Sequence, residues 1–356
     1  MVVVVKGNII DGIDMPYKKV LLVKPKGRSG LAHLTDLIPI GLEYIAASIE
    51  KEVDNVWIID MEFENRSFKY FIDKYRPDLI GISMSATEHK EGLYLAKIAK
   101  DHNIATILGG YHPTAISKEL LASPYIDMIA RGEGELAMKE LVQRGSPDGV
   151  NGISYKKGNR IINNPDRKKI DNLDSLPFPA RRLRKHNYKY LGNNEGRQRE
   201  VISMSRGCYG NCSFCCEPYM NGEIVRFRSP ENIMEELLEI VSFHKGKPLC
   251  IFVTDPNFIS DPKRIDRLCD LLQKYKLDIV FSVMTRVDSI VQNPELVKKM
   301  CNSGFLNYEM GLESPNLTDL NCVNKNISLD NQQNAVKILR ENGAEATGTF
   351  IIGLPG

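Results

Sequence analysis

Short apolar runs alternate with amphipathic stretches through the first 150 residues of the chain. The runs, such as 19–24 (KVLLVK) and 55–60 (NVWIID), are rich in β-branched residues, which favours buried strands. The stretches between them repeat apolar positions at helical spacing, as in 39–52 (PIGLEYIAASIEKE), where a proline stands at the start. The predicted strands are 19–24, 55–60, 78–83, 104–108 and 125–130. Strands that are each followed by a helix predict a parallel, doubly wound α/β domain over residues 16–150, with helices on both faces.

The same alternation resumes near residue 199 and continues to the end of the sequence. The predicted strands here are 201–205, 249–254, 278–284, 305–312 and 346–352. The predicted helices between them are 230–244, 263–275, 294–302 and 329–342. We therefore expect a second α/β domain over residues 199–356, built as a partial (β/α) barrel that is cut short after its fifth strand.

A basic segment separates the two series. Residues 151–200 hold 13 Lys and Arg against 5 Asp and Glu, and they include a predicted hairpin over 152–162 and the break Leu176-Pro177-Phe178-Pro179. We interpret 151–198 as a basic interdomain connector. A nucleic-acid surface is the alternative, but charge runs are usually solvated faces, and the whole chain carries a net charge of only +2.

The composition fits a large protein whose cysteine thiols are reduced. The 356 residues hold eight cysteines, all at or after Cys208, which is unlike a small disulfide scaffold. No apolar run approaches the roughly 18 residues of a membrane span, and the start MVVVVKG is too short for a secretory signal. These features predict a cytoplasmic protein with reduced thiols and without a transmembrane segment.

The first three cysteines have a spacing that suits metal chemistry. Cys208, Cys212 and Cys215 form C-x3-C-x2-C directly after a predicted strand, within a loop of small residues that can fold tightly. Three thiolates can hold three irons of a [4Fe–4S] cluster and leave the fourth iron open. A zinc site that adds Cys216 is the alternative, but adjacent cysteines rarely bind one ion together. We expect the four downstream cysteines, Cys250, Cys269, Cys301 and Cys322, to be small core residues.

This loop, with an aromatic residue before its last cysteine, resembles that of the radical S-adenosylmethionine (SAM) superfamily. Segments at the ends of the later strands are similar to the SAM-contacting segments of that superfamily: TDPNF at 254–258, Arg286, GLES at 311–314 and GTFIIGLPG at 348–356. The resemblance implies cluster ligation by the three cysteines. It implies SAM contacts by Tyr209, Phe214, Asp255, Asn257, Arg286, Glu313 and Gly353.

The preceding domain resembles the Rossmann-like cobalamin-binding domain of B12-dependent radical SAM enzymes. The matching motifs are PIGL at 39–42, GIS at 81–83, GGYHPT at 109–114 and GEGE at 132–135, in that order. The resemblance implies cobalamin contacts by Pro39, Gly41, Ser83, Ser85, Gly109, Gly110, Tyr111, His112, Pro113, Gly132, Glu133 and Gly134. The D-x-H-x-x-G motif, whose histidine ligates cobalt in other cobalamin proteins, is absent, since Asp101-His102-Asn103 has the wrong spacing. We expect His112 to contact the corrin edge from a loop rather than to ligate cobalt.

The family resemblance, which is to class B radical SAM methyltransferases, implies a reaction. A 5′-deoxyadenosyl radical takes hydrogen from an unactivated carbon, and the carbon radical then takes a methyl group from methylcobalamin. A radical SAM C-methyltransferase is the leading hypothesis, and a protein side chain such as glutamine is one candidate target among lipids, pterins and small natural products. A cobalamin-dependent radical SAM cyclase or rearrangement enzyme is the alternative. A non-catalytic cobalamin carrier or sensor is a third. We expect ferredoxin or flavodoxin to be the reductant. A protein or peptide is one candidate substrate, and we expect no nucleic-acid partner.

Overall fold

The computed structural model describes residues 9–10, 13–14, 16–27, 38–186 and 196–354. Part of the predicted connector and the last two residues of the GTFIIGLPG segment lie outside these residues. The chain forms two compact units, one of residues 1–170 with 176–191 and the other of residues 171–175 with 192–356. The predicted domain boundary at residue 150 therefore lies inside the first unit. Within the described part of the chain, no helix is long and apolar enough to cross a membrane.

The first unit is organised around one mixed sheet. Its strands are β1 (Ile9–Ile10), β2 (Ile13–Asp14), β3 (Lys19–Lys24), β4 (Asn55–Asp60), β5 (Leu79–Ser83), β6 (Ala105–Gly109), β7 (Met128–Ala130), β8 (Ile153–Lys157) and β9 (Arg160–Asn163). β1 and β2 pair only with each other, and the other strands form a sheet of order β4-β3-β5-β6-β7-β8-β9. Pairing is parallel from β4 to β7. The order reverses between β3 and β5, and in doubly wound sheets ligands bind at such a switch point.

Helices cover both faces of this sheet, as predicted. They are α1 (Ile40–Ile49), α2 (Phe68–Tyr75), α3 (His89–Asp101), α4 (Tyr111–Ala115), α5 (Ser117–Ala122) and α6 (Glu135–Arg144). Val20 and Leu22 of the central strand join a core with α1 and α6, whereas Leu21 and Val23 join a core with α2 and α3. Successive strand side chains point to opposite faces, so one apolar strand supplies both cores.

The predicted hairpin over 152–162 forms, but it belongs to the sheet rather than to the connector. β8 pairs antiparallel with β7, and β9 pairs antiparallel with β8. Ile153 and Tyr155 are buried and pack into the first core, which gives the strand a physical reason to join the sheet. The connector therefore begins after the hairpin.

The basic residues that follow the hairpin are largely engaged by the first unit itself. Their carboxylate partners lie on α1 and α6. The pairs are Arg167 with Glu140, Arg182 with Glu50 and Arg184 with Glu43. Cations that are paired in this way are not available as a free phosphate-binding stripe, which favours the connector interpretation over a nucleic-acid surface.

The second unit contains a sheet of five parallel strands in chain order, β10-β13-β14-β15-β16. These are β10 (Gln198–Ile202), β13 (Leu249–Val253), β14 (Ile279–Thr285), β15 (Phe305–Glu313) and β16 (Glu345–Phe350), and a separate ribbon pairs β11 (Ser205–Arg206) with β12 (Arg226–Phe227). The helices are α7 (Glu217–Asn221), α8 (Pro230–Phe243), α9 (Pro262–Tyr275), α10 (Val287–Gln292), α11 (Pro294–Asn302), α12 (Leu317–Cys322) and α13 (Leu329–Glu341). The buried core joins residues of the first four of these strands to helices such as α8 and α9. The βα series matches the prediction of a partial barrel.

Helix starts in this unit follow from local side-chain chemistry. Ser229 accepts a hydrogen bond from the backbone of Asn232 at the start of α8, and Asp261 accepts two from the first turn of α9. Proline is the first residue of both helices, a position at which a backbone N–H would have no hydrogen-bond partner within the helix.

Two predictions for this unit need correction. The first strand ends at Ile202 rather than Ser205, because the backbone of Met204 and the hydroxyl of Ser205 bond to Asp255 instead of continuing the sheet. Cys250, Cys269 and Cys301 are buried as expected, but Cys322 is exposed at the end of α12, so its assignment to the core was wrong.

Candidate cofactor sites

The cysteine loop leaves the sheet after β10 and is closed by the β11–β12 ribbon. Inside the loop, the backbone of Cys208 donates to Gly222 O at 3.2 Å, and that of Cys215 donates to Cys212 O at 3.0 Å. Ser213 N donates to Val323 O at 3.0 Å, which ties the loop to the segment after α12. The three predicted cluster cysteines therefore lie on one short, backbone-bonded loop.

Gly207 shows why the loop needs a glycine before its first cysteine. Its φ is +93°, a conformation that L side chains rarely adopt. A Cβ there would lie 2.7 Å from Ile224 O and 2.9 Å from Gly222 O. Both contacts are with backbone atoms, so any side chain at this position would force the two ends of the loop apart.

Two of the three thiols lie close to Gly210. An added Cβ at Gly210 would lie 3.4 Å from Cys208 Sγ and 3.9 Å from Cys212 Sγ. The Gly210 amide donates to Cys208 Sγ at 3.4 Å, and the Glu217 amide to Cys215 Sγ at 3.5 Å. Amides directed at sulfur are a feature of iron–sulfur sites. The lack of a side chain at Gly210 lets this backbone lie directly beside the two sulfurs.

Burial raises the pKa of the Cys208 thiol and of the Cys215 thiol above the ordinary value, while the amide bonds oppose that shift. Among the described residues, no three His, Cys, Asp or Glu side chains converge as a single metal ion would require. A zinc ion draws its four ligands to one point, whereas a cluster is bound by separate irons and needs thiols held further apart.

Asn257 lies at the centre of a buried hydrogen-bond group next to this loop. Its amide nitrogen donates to the Tyr209 hydroxyl at 3.1 Å. Its oxygen accepts from Thr285 Oγ1 at 3.0 Å and from the Arg286 backbone at 3.1 Å. Asn257 follows β13 and Thr285 ends β14, so the ends of two adjacent strands and the cysteine loop are joined through one side chain.

Arg286 extends this group toward the thiols. Its Nε donates to Asp288 Oδ1 at 3.0 Å, and its Nη2 donates to Lys325 O at 3.1 Å. The guanidinium carbon lies 5.8 Å from the centre of the Tyr209 ring, within range of a cation–π contact. An added Cβ at Gly210 would be 3.3 Å from its Nη1. A fixed positive charge therefore lies beside the cysteine loop.

Glu313 lies at the end of β15, and its carboxylate forms an ion pair within the protein. Its Oε1 accepts from Lys325 Nζ at 2.8 Å, and both side chains are buried. Its φ is +61°, which is unusual for a residue that is not glycine. Lys325 therefore contacts Glu313 through its side chain and Arg286 through its backbone carbonyl. Sequence reasoning missed Lys325 because no motif marks this residue.

The remaining residues predicted for SAM fall into two groups. Phe214 and Gly353 are exposed, and an added Cβ at Gly353 would meet nothing within 4 Å. Asp255 is fully buried, and its carboxylate faces Met204, Ser205 and Arg264 rather than an open surface. Of the predicted set, Tyr209, Asn257 and Arg286 are brought together with the cysteine loop.

In the first unit, the predicted cobalamin residues lie at the carboxyl ends of the strands. Gly109 ends β6, and its carbonyl accepts from Met84 N at 3.2 Å. Gly110 has φ +103°, and a Cβ there would lie 3.1 Å from Met84 O and 3.5 Å from Ser83 Oγ. The glycine is required for the close approach of the loops after β5 and β6, which lie beside the switch point.

His112 lies in the short helix α4, which begins directly after Gly110, rather than in the loop that was expected. Its Nε2 is 2.8 Å from Nδ1 of His89, the first residue of α3. Ser85 begins the turn before α3, and its backbone N–H donates to Glu88 Oε2 at 2.7 Å. Sequence reasoning did not include His89 among the site residues. The only sequence signal for it was its position directly after the turn that Ser85 caps. Tyr111 is exposed and Pro113 is buried.

The other predicted cobalamin residues divide between open positions and packed ones. Pro39 precedes α1, and Gly41 in its first turn is exposed, with nothing within 4 Å of an added Cβ. The Gly132 amide donates to Thr114 Oγ1 at 3.1 Å, and Gly134 packs close to Ile45. Glu133 Oε2 accepts from Ile170 N at 2.8 Å, so this carboxylate binds its own chain. The open positions are consistent with a flat ligand lying over the strand ends.

Comparison with known proteins identifies the class. A B12-binding domain matches residues 32–142, and the radical SAM superfamily matches residues 202–356. An uncharacterized methyltransferase of Pyrococcus horikoshii is 33% identical over 354 residues, which cover 96% of this chain and 75% of that protein. The anaerobic magnesium-protoporphyrin IX monomethyl ester cyclase of Rubrivivax gelatinosus is 26% identical over 352 residues, 94% of this chain and 62% of that enzyme.

Among solved structures, the cobalamin-dependent SAM radical enzyme OxsB, with aqua-cobalamin and SAM bound, superposes with a TM-score of 0.78. The identity is 19%, and the match covers 96% of this chain and 50% of that one. The chain thus spans about half the length of this structural match. At this identity the match supports the fold alone.

The chain belongs to the family of B12-binding radical SAM enzymes, and its relatives there include named methyltransferases. The solved structure supports the predicted α/β architecture. The two family matches confirm the pairing of the two domain types and the predicted cofactors, which are cobalamin for the first match and SAM with the [4Fe–4S] cluster of the radical SAM superfamily for the second. The residues described above fit these groups, since the cysteine loop carries three thiols, two of which accept hydrogen bonds from backbone amides, and Gly41 after β3 is open.

Proposed function

We propose that the protein transfers a methyl group to an unactivated carbon of its substrate. The observation that carries this proposal is the cysteine loop, which brings Cys208 Sγ, Cys212 Sγ and the charge of Arg286 together around Gly210. The relative with 33% identity is named a methyltransferase, which favours methyl transfer over ring formation. When bound, the cluster and SAM supply a radical that removes hydrogen, and cobalamin supplies the methyl group.

The side chains around the loop have separate tasks in this proposal. Cys208, Cys212 and Cys215 hold the cluster, with Cys208 and Cys212 partly buried and Cys215 exposed. Tyr209 and Asn257 line the SAM site, with Asn257 fixing the tyrosine hydroxyl at 3.1 Å. Arg286 supplies positive charge for the SAM carboxylate, a pairing that guanidinium groups favour.

Glu313 and Lys325 act as a buried neutral pair in this proposal. Lys325 Nζ lies 2.8 Å from Glu313 Oε1, so the carboxylate charge is balanced inside the protein. A balanced carboxylate can accept hydrogen bonds from the hydroxyls of a nucleoside without adding net charge to the site. We therefore place the nucleoside part of SAM near Glu313.

The strand ends of the first unit bind cobalamin in this proposal. Gly41, Gly109, Gly110 and Gly132 allow its corrin ring to approach the backbone, and His112 contacts the corrin with the ring nitrogen that His89 does not engage. An external electron donor such as ferredoxin or flavodoxin reduces the cluster. A protein or peptide substrate remains our working choice for the methyl acceptor.

Cysteine substitution tests the assignment of the loop. Changing Cys208, Cys212 or Cys215 to Ala should abolish both the bound iron and the formation of 5′-deoxyadenosine. The matched controls are Cys216→Ala and Cys322→Ala, which remove exposed thiols from the same unit and should leave both intact. Normal 5′-deoxyadenosine formation by any of the three ligand variants would overturn the proposal.

Methyl-labelled SAM separates methyl transfer from the alternatives. Label in the product supports the proposal, whereas an unlabelled product with 5′-deoxyadenosine formation supports a cyclase or a rearrangement. Cobalamin binding without SAM cleavage in the reduced protein would indicate a carrier. Mass spectrometry of proteins and metabolites from a deletion strain, searched for lost methyl groups, identifies the substrate.

A further inference from the structure

A buried ion pair holds the base of the cysteine loop. Asp255 follows β13, and its side chain is 0% exposed. Its Oδ1 accepts from Met204 N at 2.8 Å, and its Oδ2 accepts from Ser205 Oγ at 2.6 Å. Oδ2 also lies 3.7 Å from Arg264 Nη2. The carboxylate is therefore turned toward the chain that enters the loop.

Arg264, in α9, contacts both ends of the loop. Its Nη1 donates to Met204 O at 3.2 Å and to Arg228 O at 3.4 Å. Its guanidinium carbon lies 4.9 Å from the centre of the Phe227 ring. Met204 precedes the segment that carries the cysteines, and Arg228 follows it. One side chain thus bonds the backbone where the loop leaves the core and where it returns.

The energetics of this pair point to a role other than general stability. Burial raises the pKa of Asp255 and lowers that of Arg264, and the charge of each partner opposes the shift of the other. Within the described residues, Arg264 Nε and Nη2 have no hydrogen-bond partner. An apolar pair of similar volume often stabilises a core as well as a buried ion pair does, whereas a buried pair can specify one arrangement of the chain.

We propose that Asp255 and Arg264 are positioning residues that fix the separation of Met204 and Arg228 and thereby hold Cys208, Cys212 and Cys215 at the spacing of the cluster. This inference rests on the proposed cluster ligation by the three cysteines. It replaces the SAM contact that the family resemblance implied for Asp255. The ribbon of Ser205–Arg206 with Arg226–Phe227 then acts as the closure of the loop, with the ion pair beneath it.

The test compares Asp255→Asn and Arg264→Lys with the unchanged chain. Both variants keep the size of the side chain approximately, but Asn loses the charge, and Lys cannot reach two carbonyls with a fixed planar group. After anaerobic reconstitution we expect several-fold less iron and sulfide per chain in each variant. Cobalamin binding should stay unchanged, because its predicted residues lie in the first unit. The two effects should not add in the double variant, since both act through one pair.

Glu200→Gln is the matched control. Glu200 is equally buried, lies on β10 in the same unit and pairs with His244 at 3.0 Å. It should keep full iron content even though it loses a buried charge. If either positioning variant is too unstable to purify, Ser205→Ala removes only the hydroxyl bonded to Asp255 and should lower the iron content by a smaller factor.

Full iron content and an unchanged electron paramagnetic resonance spectrum in Asp255→Asn, combined with weaker SAM binding, would overturn the inference and restore the SAM contact. Equal loss of iron in Glu200→Gln would also overturn it, because the effect would then be general instability. Failure of the unchanged chain to take up iron would instead refute the proposed function.

Discussion

Nδ1 of His89 and Nε2 of His112 lie 2.8 Å apart. One of the two nitrogens must carry the proton, so the pair has one remaining ring nitrogen that donates and one that accepts. The rings meet edge to face, with centroids 5.0 Å apart, which fixes the plane of His112. His89 therefore fixes the orientation of the residue that we place against the corrin, and the bond couples the tautomers of the two rings.

His89→Ala should weaken cobalamin binding by roughly 3- to 10-fold, the equivalent of one lost hydrogen bond. A spectroscopic titration with hydroxocobalamin measures this effect. The control is His102→Gln, at the other end of α3, where Nδ1 bonds to Ile98 O at 2.7 Å. Equal losses in both variants would show that helix stability, rather than the histidine pair, controls binding.

The same pair predicts a pH dependence of stability. Burial first, and then His89, lower the pKa of His112 below its ordinary value of 6.5. The unfolded chain therefore takes up a proton at this residue at higher pH than the folded chain does. The contribution of neutral His112 to the free energy of unfolding is full above pH 6.5, and it is lost as the pH falls below that value. The Tm of the unchanged chain should fall more steeply than that of His112→Gln from about pH 8 to about pH 5. Parallel curves would contradict this.

Lys325→Met should destabilise the second unit strongly, because it leaves Glu313 buried without its cation. Breaking a buried pair in this way costs about 3–5 kcal/mol. Chemical denaturation followed by circular dichroism measures the loss. Lys337→Met is the control, since Lys337 and Glu341 are exposed and 3.9 Å apart, and such a pair contributes about 0–1 kcal/mol. SAM affinity should fall only in the first variant.

Gly207→Ala and Gly222→Ala separate backbone strain from collision. Their φ values are nearly equal, +93° and +96°, so both substitutions should cost about 1–3 kcal/mol through a backbone conformation that L side chains rarely adopt. A Cβ at Gly207 also meets Ile224 O at 2.7 Å, whereas one at Gly222 meets nothing within 4 Å. We expect iron uptake to fail in Gly207→Ala and to survive in Gly222→Ala. Equal iron content in the two variants would show that the loop tolerates the collision.

Local patterns predicted the features that depend on neighbours in the sequence. The apolar runs identified the parallel strands, since strands buried on both faces read as continuous apolar segments. The spacing of Cys208, Cys212 and Cys215 marked the loop for which we propose cluster ligation, because three candidate ligands on one loop leave a signature in sequence alone. Gly207 and Gly110 could likewise be recognised as loop glycines, although the contacts that require them could not.

Features that depend on distant contacts were not predictable. Lys325 meets Glu313 and His89 meets His112 only after the strands are ordered, and no sequence motif marks either partner. Asp255 matched a family segment correctly in position, but the direction of its carboxylate depends on the path of Met204 and Ser205. Cys322 was misplaced because the apolar pattern around it did not show that it ends α12 on the exposed side.

The ion pair between Arg184 and Glu43 has a practical consequence for dissecting the protein. Arg184 Nε lies 2.7 Å from Glu43 Oε1 across a sequence separation of 141 residues, and the Glu43 side chain is 1% exposed. A recombinant fragment that stopped at residue 150 would keep Glu43 and lose its cation, leaving a buried carboxylate on α1 without its partner. A self-sufficient cobalamin-binding piece must therefore extend through residue 186, and it will carry along residues 171–175, which pack with the other unit.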